Sequence, residues 1–279
     1  SSGIPKWFIP GYRGALERLA RSFARKCPHR SNVISNRAEQ YDAAGTPDEE
    51  RQHMEVAWLW ASQVNTIVTA FWTLLHVLRE PEARSVLERE AAEVMHGRDL
   101  AREPLDKAEL KRLARLESAI WEVLRLTSSS IIIRRAVETI DFETEDGTTY
   151  RIEKGELFNL FSGVTHFDPE IFEEPDRFRH DRFHSPGAPA TFSRGGRPLQ
   201  FPLLPFGSGA SMCPGRFLAM NELKIVVAHL HVGANWWARD GVIDQNLPHQ
   251  FCRNAEKLRP ILPGNIVNIS NQPQICFVD

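Results

Sequence analysis

Up to Leu126 the apolar residues of this chain recur at helical spacing, and from Ile131 to Leu160 they fall into short strand-like runs. Tyr12 to Arg25 is an amphipathic segment. Leu16, Leu19, Ala20 and Phe23 share one face, and Arg13, Arg18, Arg21, Arg25 and Lys26 surround it. A basic face of this kind is usually solvated; contact with a membrane surface is the sharper alternative. Thr46-Pro47-Asp48-Glu49 starts the next helix, with a capping box and Pro at the first helical position. It runs to Arg79, ahead of Pro81, a length of roughly 50 Å at about 1.5 Å per residue. From Val56 to Leu78 it carries no Asp, Glu, Lys or Arg, so a membrane span must be weighed. That span would put Ser62, Gln63, Asn65, Thr66 and Thr69 at bilayer depth, where polar groups are costly. A helix fully buried through a large core is the preferred expectation.

Pro81 opens a helix over 82–96, which Gly97 closes. Asp106 and Glu109 mark another helix start, and that helix continues to Leu126. Strands are expected over 131–133, leading into Arg134, and over 140–145. Asp146-Gly147 gives a hairpin turn, with the return strand at 148–152. A further strand covers 155–160. Residues 166–204 are rich in Pro, Phe and Arg without a period, so they should form an irregular packed segment. No internal repeat or low-complexity tract is present.

Composition narrows the field. A net charge of −2 gives no electrostatic case for nucleic-acid binding. The four cysteines, Cys27, Cys213, Cys252 and Cys276, are scattered without Cys-x-x-Cys pairing. They fit a reducing compartment rather than a disulfide framework. Ser1 to Trp7 is no signal peptide and does not begin with Met, which reads as a cut point in a longer protein. Asn268-Ile269-Ser270 fits a glycosylation acceptor, a short pattern of little weight.

One stretch carries chemistry: Pro205-Phe206-Gly207-Ser208-Gly209-Ala210-Ser211-Met212-Cys213-Pro214-Gly215-Arg216. Gly207 and Gly209 allow a tight turn and close approach to something flat. Pro214 suits the first turn of a helix running through Phe217, Leu218, Ala219, Glu222 and Leu223. Cys213 at that helix N-terminus would be favoured as a thiolate. With no second cysteine nearby, zinc and iron–sulfur sites are disfavoured. A cysteine nucleophile needs a base that spacing does not nominate. A haem axial ligand is the use that one thiolate alone can serve; a buried structural cysteine is the bland alternative. Glu122 and Arg125, at i and i+3 on an apolar helix, are either a surface pair or a buried pair that needs a partner. Arg177, in Pro175-Asp176-Arg177-Phe178, is the candidate third member.

Phe206, Gly209, Cys213 and Gly215 match the Phe-x-x-Gly-x-x-x-Cys-x-Gly haem loop, and the chain resembles the cytochrome P-450 family. Glu122 and Arg125 resemble its Glu-x-x-Arg motif and Pro175 to Phe178 its Pro-x-Arg-Phe motif, in family order. Leu59-Trp60-Ala61-Ser62-Gln63, Asn65-Thr66-Ile67, Phe71-Trp72, Leu126-Thr127-Ser128-Ser129 and His166-Phe167-Asp168-Pro169-Glu170-Ile171 are similar to the sterol 7α-hydroxylase, sterol 12α-hydroxylase and prostacyclin synthase group. The likeness runs from about Met54 to His231, and more weakly over the N-terminal helix.

The resemblance implies a mainly α fold with a small β portion, namely the C-terminal, haem-proximal half of a cytochrome P-450. It implies a partial catalytic domain over 1–231, followed by a tail over 232–279 that matches the group poorly. It implies haem b with Cys213 as the iron ligand, in a loop shaped by Phe206, Gly207, Gly209 and Gly215. Arg134 is the candidate for a haem propionate, with Arg135 able to exchange roles. Ser211 stands where most members place a basic residue. Thr66 would hydrogen-bond oxygen on the distal side and help deliver protons. Asn65 replaces the usual acid there, so water takes more of that role. Val68 replaces a proline usual in this group, so the helix kink is expected to weaken. Glu122, Arg125 and Arg177 would form a structural network.

The implied reaction is hydroxylation of a sterol-like or other bulky apolar substrate with O2 and electrons from NADPH-cytochrome P-450 reductase. The implied place is the cytosolic face of the endoplasmic reticulum membrane, with the anchor in a portion preceding this chain. Two rivals stand beside it. One is a prostacyclin-synthase-like isomerase, which the retained Thr66 disfavours. The other is a non-catalytic remnant unable to hold haem.

Overall fold

Asp48, Glu49 and Glu50 crowd the first turn of the long helix, and His76 and Arg79 its last. Both sets complement the helix dipole. The resulting helix runs unbroken over Asp48–Arg79 in the computed structural model, which describes residues 11–23, 32–95, 97–98, 103–128, 131–144, 147–185 and 190–233. Two shorter helices precede it, α1 (Tyr12–Ser22) and α2 (Asn32–Ala43), so the long helix is α3. Then come α4 (Pro81–Met95), α5 (Lys107–Arg112) and α6 (Ala114–Thr127). Strands β1 (Ile131–Arg135), β2 (Ile140–Glu143), β3 (Thr149–Ile152) and β4 (Leu157–Phe161) follow. The short helix α7 (Ser162–His166), a two-residue pair β5 (Ser193–Arg194) and β6 (Arg197–Pro198), and α8 (Arg216–Gly233) complete the order. The fold is mainly α with a small β portion. The tail after Gly233, with its glycosylation pattern, lies outside the described residues, as do Cys27, Cys252 and Cys276.

The described residues separate into two compact units, those up to Ile67 and those from Val68 on, and α3 belongs to both. In the first, Arg37 on α2 pairs with Glu55 on α3 and lies 4.9 Å from the Trp58 ring centroid. In the second, α4, α6 and α8 pack around one core with the end of α3. Leu87, Ala91, Leu116, Ile120, Val123, Leu223 and Val227 fill it.

The expectation of a fully buried α3 is corrected. Only Ala70, Thr73, Leu74 and Val77 are buried, because only this stretch meets the core. Trp58, Leu59, Trp60, Val64, Ile67, Val68 and Phe71 are exposed. No described helix is long and apolar enough to cross a membrane.

The single helix expected from Asp106 to Leu126 is two. Asp106 and Glu109 do form a reciprocal capping box on α5. Leu113 then leaves helical geometry, at φ −79° and ψ 53°, while its side chain is fully buried. The α6 start at this break receives no side-chain cap from Leu113. Glu90 on α4 supplies one instead, accepting from the amides of Arg115 and Leu116, both at 2.8 Å. Its negative charge also complements the positive end of the α6 dipole. Glu90→Ala should therefore lower stability by about 1–2 kcal/mol in urea denaturation; a loss below about 0.5 kcal/mol is surface behaviour and would contradict the cap. Lys224 on α8 completes the fastening: its Nζ donates to the Leu110 carbonyl at 3.1 Å and to the Glu117 carboxylate.

Strand β1 pairs antiparallel with β4, Ile132 facing Leu160 and Arg134 facing Phe158. The β2–β3 hairpin pairs Ile140 with Ile152, as its turn residues imply. Alternation along β1 buries Ile132 and half-buries Arg134, while Ile131, Ile133 and Arg135 are exposed. The described residues of 166–204 are irregular apart from the end of α7 and the β5–β6 pair. A small second core of Ile171, Phe172 and Leu199, with Phe183 and Phe192, holds it together.

Candidate functional site

Two assemblies dominate the second unit: a buried ionic network on α6 and the cysteine loop before α8. Glu122 and Arg125 are both fully buried. Helical spacing lets Arg125 grip Glu122 with two hydrogen bonds, Nε to Oε2 at 2.9 Å and Nη2 to Oε1 at 2.8 Å. The third cation is Arg182, not Arg177. Arg182 Nε lies 3.0 Å from both Glu122 oxygens, and its side chain is 5% exposed. The Arg179 amide also donates to Glu122 Oε1 at 3.1 Å.

Arg177 is corrected accordingly. Its side chain is 65% exposed, with Glu174 at 3.5 Å, and only its carbonyl joins the network, accepting from Arg182 Nη2 at 3.2 Å. The carbonyls of Glu173 and Glu174 likewise accept from Arg182. Backbone from 173 to 177 thus wraps the Arg182 guanidinium. The sequence holds two Asp-Arg-Phe triplets, at 176–178 and 181–183. Phe183 packs with Phe172 and Phe192, and its amide donates to Ser118 on α6 at 3.0 Å. These contacts turn the second triplet inward. Burial pushes the Arg182 pKa below its ordinary value, and Glu122 opposes that shift. A doubly flanked carboxylate with five hydrogen-bond contacts is the arrangement that makes buried charge tolerable.

Arg125 also reaches outward. Its Nη1 donates to the His166 carbonyl at 2.7 Å, and its guanidinium lies over Phe167 and Phe172, with centroids 5.7 and 5.1 Å away. The His166 ring is fully buried, and Nε2 accepts from the Leu204 amide at 3.0 Å. In the sequence His166 stands out only within the stretch His166 to Ile171 that resembles the family, and nothing local marks a role for its ring.

Leu204 leads into the cysteine loop. Gly207 (φ 74°) and Gly209 (φ 62°) both take the left-handed conformation that the turn demands. The Cys213 amide donates to the Phe206 carbonyl at 2.9 Å and closes the loop. The Phe206 ring meets Trp121 edge-on, centroids 5.6 Å apart, which ties the loop to α6. Pro214 lies outside the helix: α8 begins at Arg216, and the Gly215 carbonyl accepts its first bond, from Ala219. The Cys213 carbonyl accepts from Arg216 Nη1 at 3.0 Å. Arg134 Nη2 donates to the Ser208 carbonyl at 2.9 Å, so β1 brings this cation to the loop, while Arg135 turns to the Gly155 carbonyl. Ser211 is exposed.

Cys213 is a free, partly exposed thiol, and a β-carbon added at Gly215 would stand 3.9 Å from its Sγ. No group of three or more His, Cys, Asp or Glu able to hold a metal exists among the described residues. One thiol in a glycine-opened loop with an arginine beside it fits a haem held by a single protein ligand. Thr66 and Asn65 lie on the part of α3 belonging to the first unit; Thr66 is half-buried and Asn65 exposed.

Comparison with known proteins agrees with this loop. The sequence model of the family Cytochrome P450 matches residues 30–230. A 25-hydroxycholesterol 7-alpha-hydroxylase of Rattus norvegicus is 39% identical over 71% of this chain and 49% of its own length. Cytochrome P450 7A1 of Rattus norvegicus is 36% identical over 80% of this chain and 47% of its own length. A 7-alpha-hydroxycholest-4-en-3-one 12-alpha-hydroxylase of Homo sapiens is 32% identical over 71% of this chain and 40% of its own length. The chain spans about half the length of the curated relatives it matches. With its cysteine loop, its Glu122–Arg125–Arg182 network and a family match across most of its length, this chain belongs to the cytochrome P450 family.

Proposed function

We propose that this chain is part of a haem-thiolate monooxygenase that hydroxylates a sterol-like or other bulky apolar substrate. The observation that carries the reading is Cys213, a free thiol in a loop closed by its own amide on the Phe206 carbonyl. Relatives named as sterol hydroxylases supply the substrate class. When bound, haem b supplies the oxygen chemistry. Cys213 Sγ is the ligand that would hold it, and Gly207, Gly209 and Gly215 leave room for a flat group. Arg134, already at the loop, is the cation suited to pair a propionate.

On α3, Thr66 Oγ1 is assigned to hold a proton for the oxygen side, with Asn65 orienting water beside it. NADPH-cytochrome P-450 reductase is the proposed electron source. The cytosolic face of the endoplasmic reticulum membrane is the proposed place of the full-length protein. Residues 1–231 are assigned to the catalytic domain.

The reduced protein under carbon monoxide tests this directly. A Soret band at the thiolate-ligated position is expected, and Cys213→Ser should abolish it. No band from a protein with a folded far-UV spectrum would favour the non-catalytic reading instead. Thr66→Ala separates hydroxylase from isomerase. Product formed per O2 consumed should fall by about 10²-fold, the low end of the range for a lost proton-transfer group. Unchanged turnover without oxygen uptake would favour the isomerase.

A further inference from the structure

We propose that His166 is a positioning residue that sets the cysteine loop, acting as a neutral imidazole with its proton on Nδ1 and its Nε2 lone pair fixed on the Leu204 amide. The inference rests on Cys213 being the working group of the loop and concerns how that group is held.

His166 is the last residue of α7, and two different parts of it are used. Its carbonyl accepts from Arg125 Nη1 at 2.7 Å, which fixes the α7 end to the buried network. Its ring accepts from the Leu204 amide at 3.0 Å, which fixes the chain entering the loop. From Leu204 the hydrogen bonds continue in the same direction. The Gly207 amide donates to the Leu204 carbonyl at 3.2 Å, and the Cys213 amide donates to the Phe206 carbonyl at 2.9 Å. His166 is therefore the junction between the Glu122–Arg125–Arg182 cluster and the loop that presents the thiol.

The tautomer follows from the donor. An amide can only donate, so Nε2 must be the bare nitrogen and Nδ1 must carry the proton. Nδ1 meets no partner within normal hydrogen-bond geometry among the described residues. An imidazolium cannot accept from Leu204, and it would place a second cation beside Arg125. Burial and the Arg125 charge both oppose protonation, holding the ring pKa down to about 4, while the carbonyls of Ser128 and Arg125 pull weakly the other way. The ring thus keeps its acceptor at neutral pH.

The first test uses the wild-type chain with 15N-labelled histidine. Its spectrum should show one histidine, lost in His166→Gln, whose bare nitrogen is Nε2; a proton on Nε2 overturns the proposal. The second compares amide exchange over residues 203–213 in His166→Phe and His166→Gln, with and without haem. Loss of one hydrogen bond of ordinary strength should speed exchange there by about tenfold in the Phe variant. Peptides of α4 and α8 should keep their protection, and Gln, whose side-chain oxygen can accept, should restore the loop. Equal exchange in all three proteins, or loosening of the whole unit without rescue, overturns the proposal. Haem-loaded protein adds a spectroscopic readout. The carbonyl complex of the Phe variant should shift from the thiolate-type Soret band toward the band of a lost or neutral thiol ligand, and the Gln variant should shift back. The exchange and tautomer measurements need no haem, so their failure is distinct from a failure of Cys213 to bind it.

Discussion

Glu122→Ala is expected to cost about 3–5 kcal/mol, the range for leaving a buried charge without its partner. The substitution strands two cations, because Arg125 is fully buried and Arg182 is 5% exposed. It also removes the acceptor of the Arg179 amide. Urea denaturation followed by far-UV dichroism measures the loss. The companion variants make the test specific to this geometry. Arg182→Ala should be strongly destabilising, since it leaves the carbonyls of Glu173, Glu174 and Arg177 without their donor and Glu122 with one cation. Arg177→Ala removes an exposed side chain and should stay within about 0.5 kcal/mol of the parent. Similar losses for Arg177→Ala and Arg182→Ala would refute the placement of Arg182 against Glu122.

Acid should weaken this protein through His166 well above the pH at which its carboxylates protonate. The ring titrates near 6.5 when unfolded and at about 4 when folded. Above 6.5 it is neutral in both states and folding meets no penalty. As pH falls below 6.5 the unfolded chain takes up a proton that the folded chain refuses, so stability falls. The loss levels off near pH 4, where the folded ring is protonated too. A difference of 2.5 units at 1.36 kcal/mol each gives about 3 kcal/mol. Other groups titrate in the same window, so the measured quantity is the difference between wild type and His166→Gln across it. Parallel stability curves for the two proteins would mean that His166 is not held neutral by the fold.

The elements of this chain were largely legible because each is written locally. Pro47 and Pro81 flank α3, the β2–β3 hairpin turns at Gly147, and β4 follows Gly155. The cysteine loop was legible for a similar reason. Gly207 and Gly209 need positive φ, its cysteine is alone, and all its parts lie within a dozen residues. Local pattern misled where burial decided the outcome. The apolar run of α3 resembles a core helix, yet residues 58–68 of it include six exposed large apolar side chains. A period records which residues avoid water, and carries no information on which element covers them. The break at Leu113 was hidden because a capping box upstream and apolar spacing downstream both suit one continuous helix. What separates the two helices is a buried leucine and the Glu90 carboxylate of α4, which accepts from the first amides of α6.

By itself the sequence determined the mainly α order of elements, the turn geometry around Cys213 and the pairing of Glu122 with Arg125. All three depend on neighbours a few residues apart, where propensity and spacing act directly. Tertiary structure decided the rest: that Arg182 and not Arg177 completes the network, that Glu90 caps α6, and that the His166 ring holds Leu204. These contacts join residues 25 to 60 positions apart, and two of them use backbone amides. Every residue carries those groups, so composition cannot single out the ones that are used. Burial does so, since a polar group removed from water must find a partner wherever the fold brings one within reach.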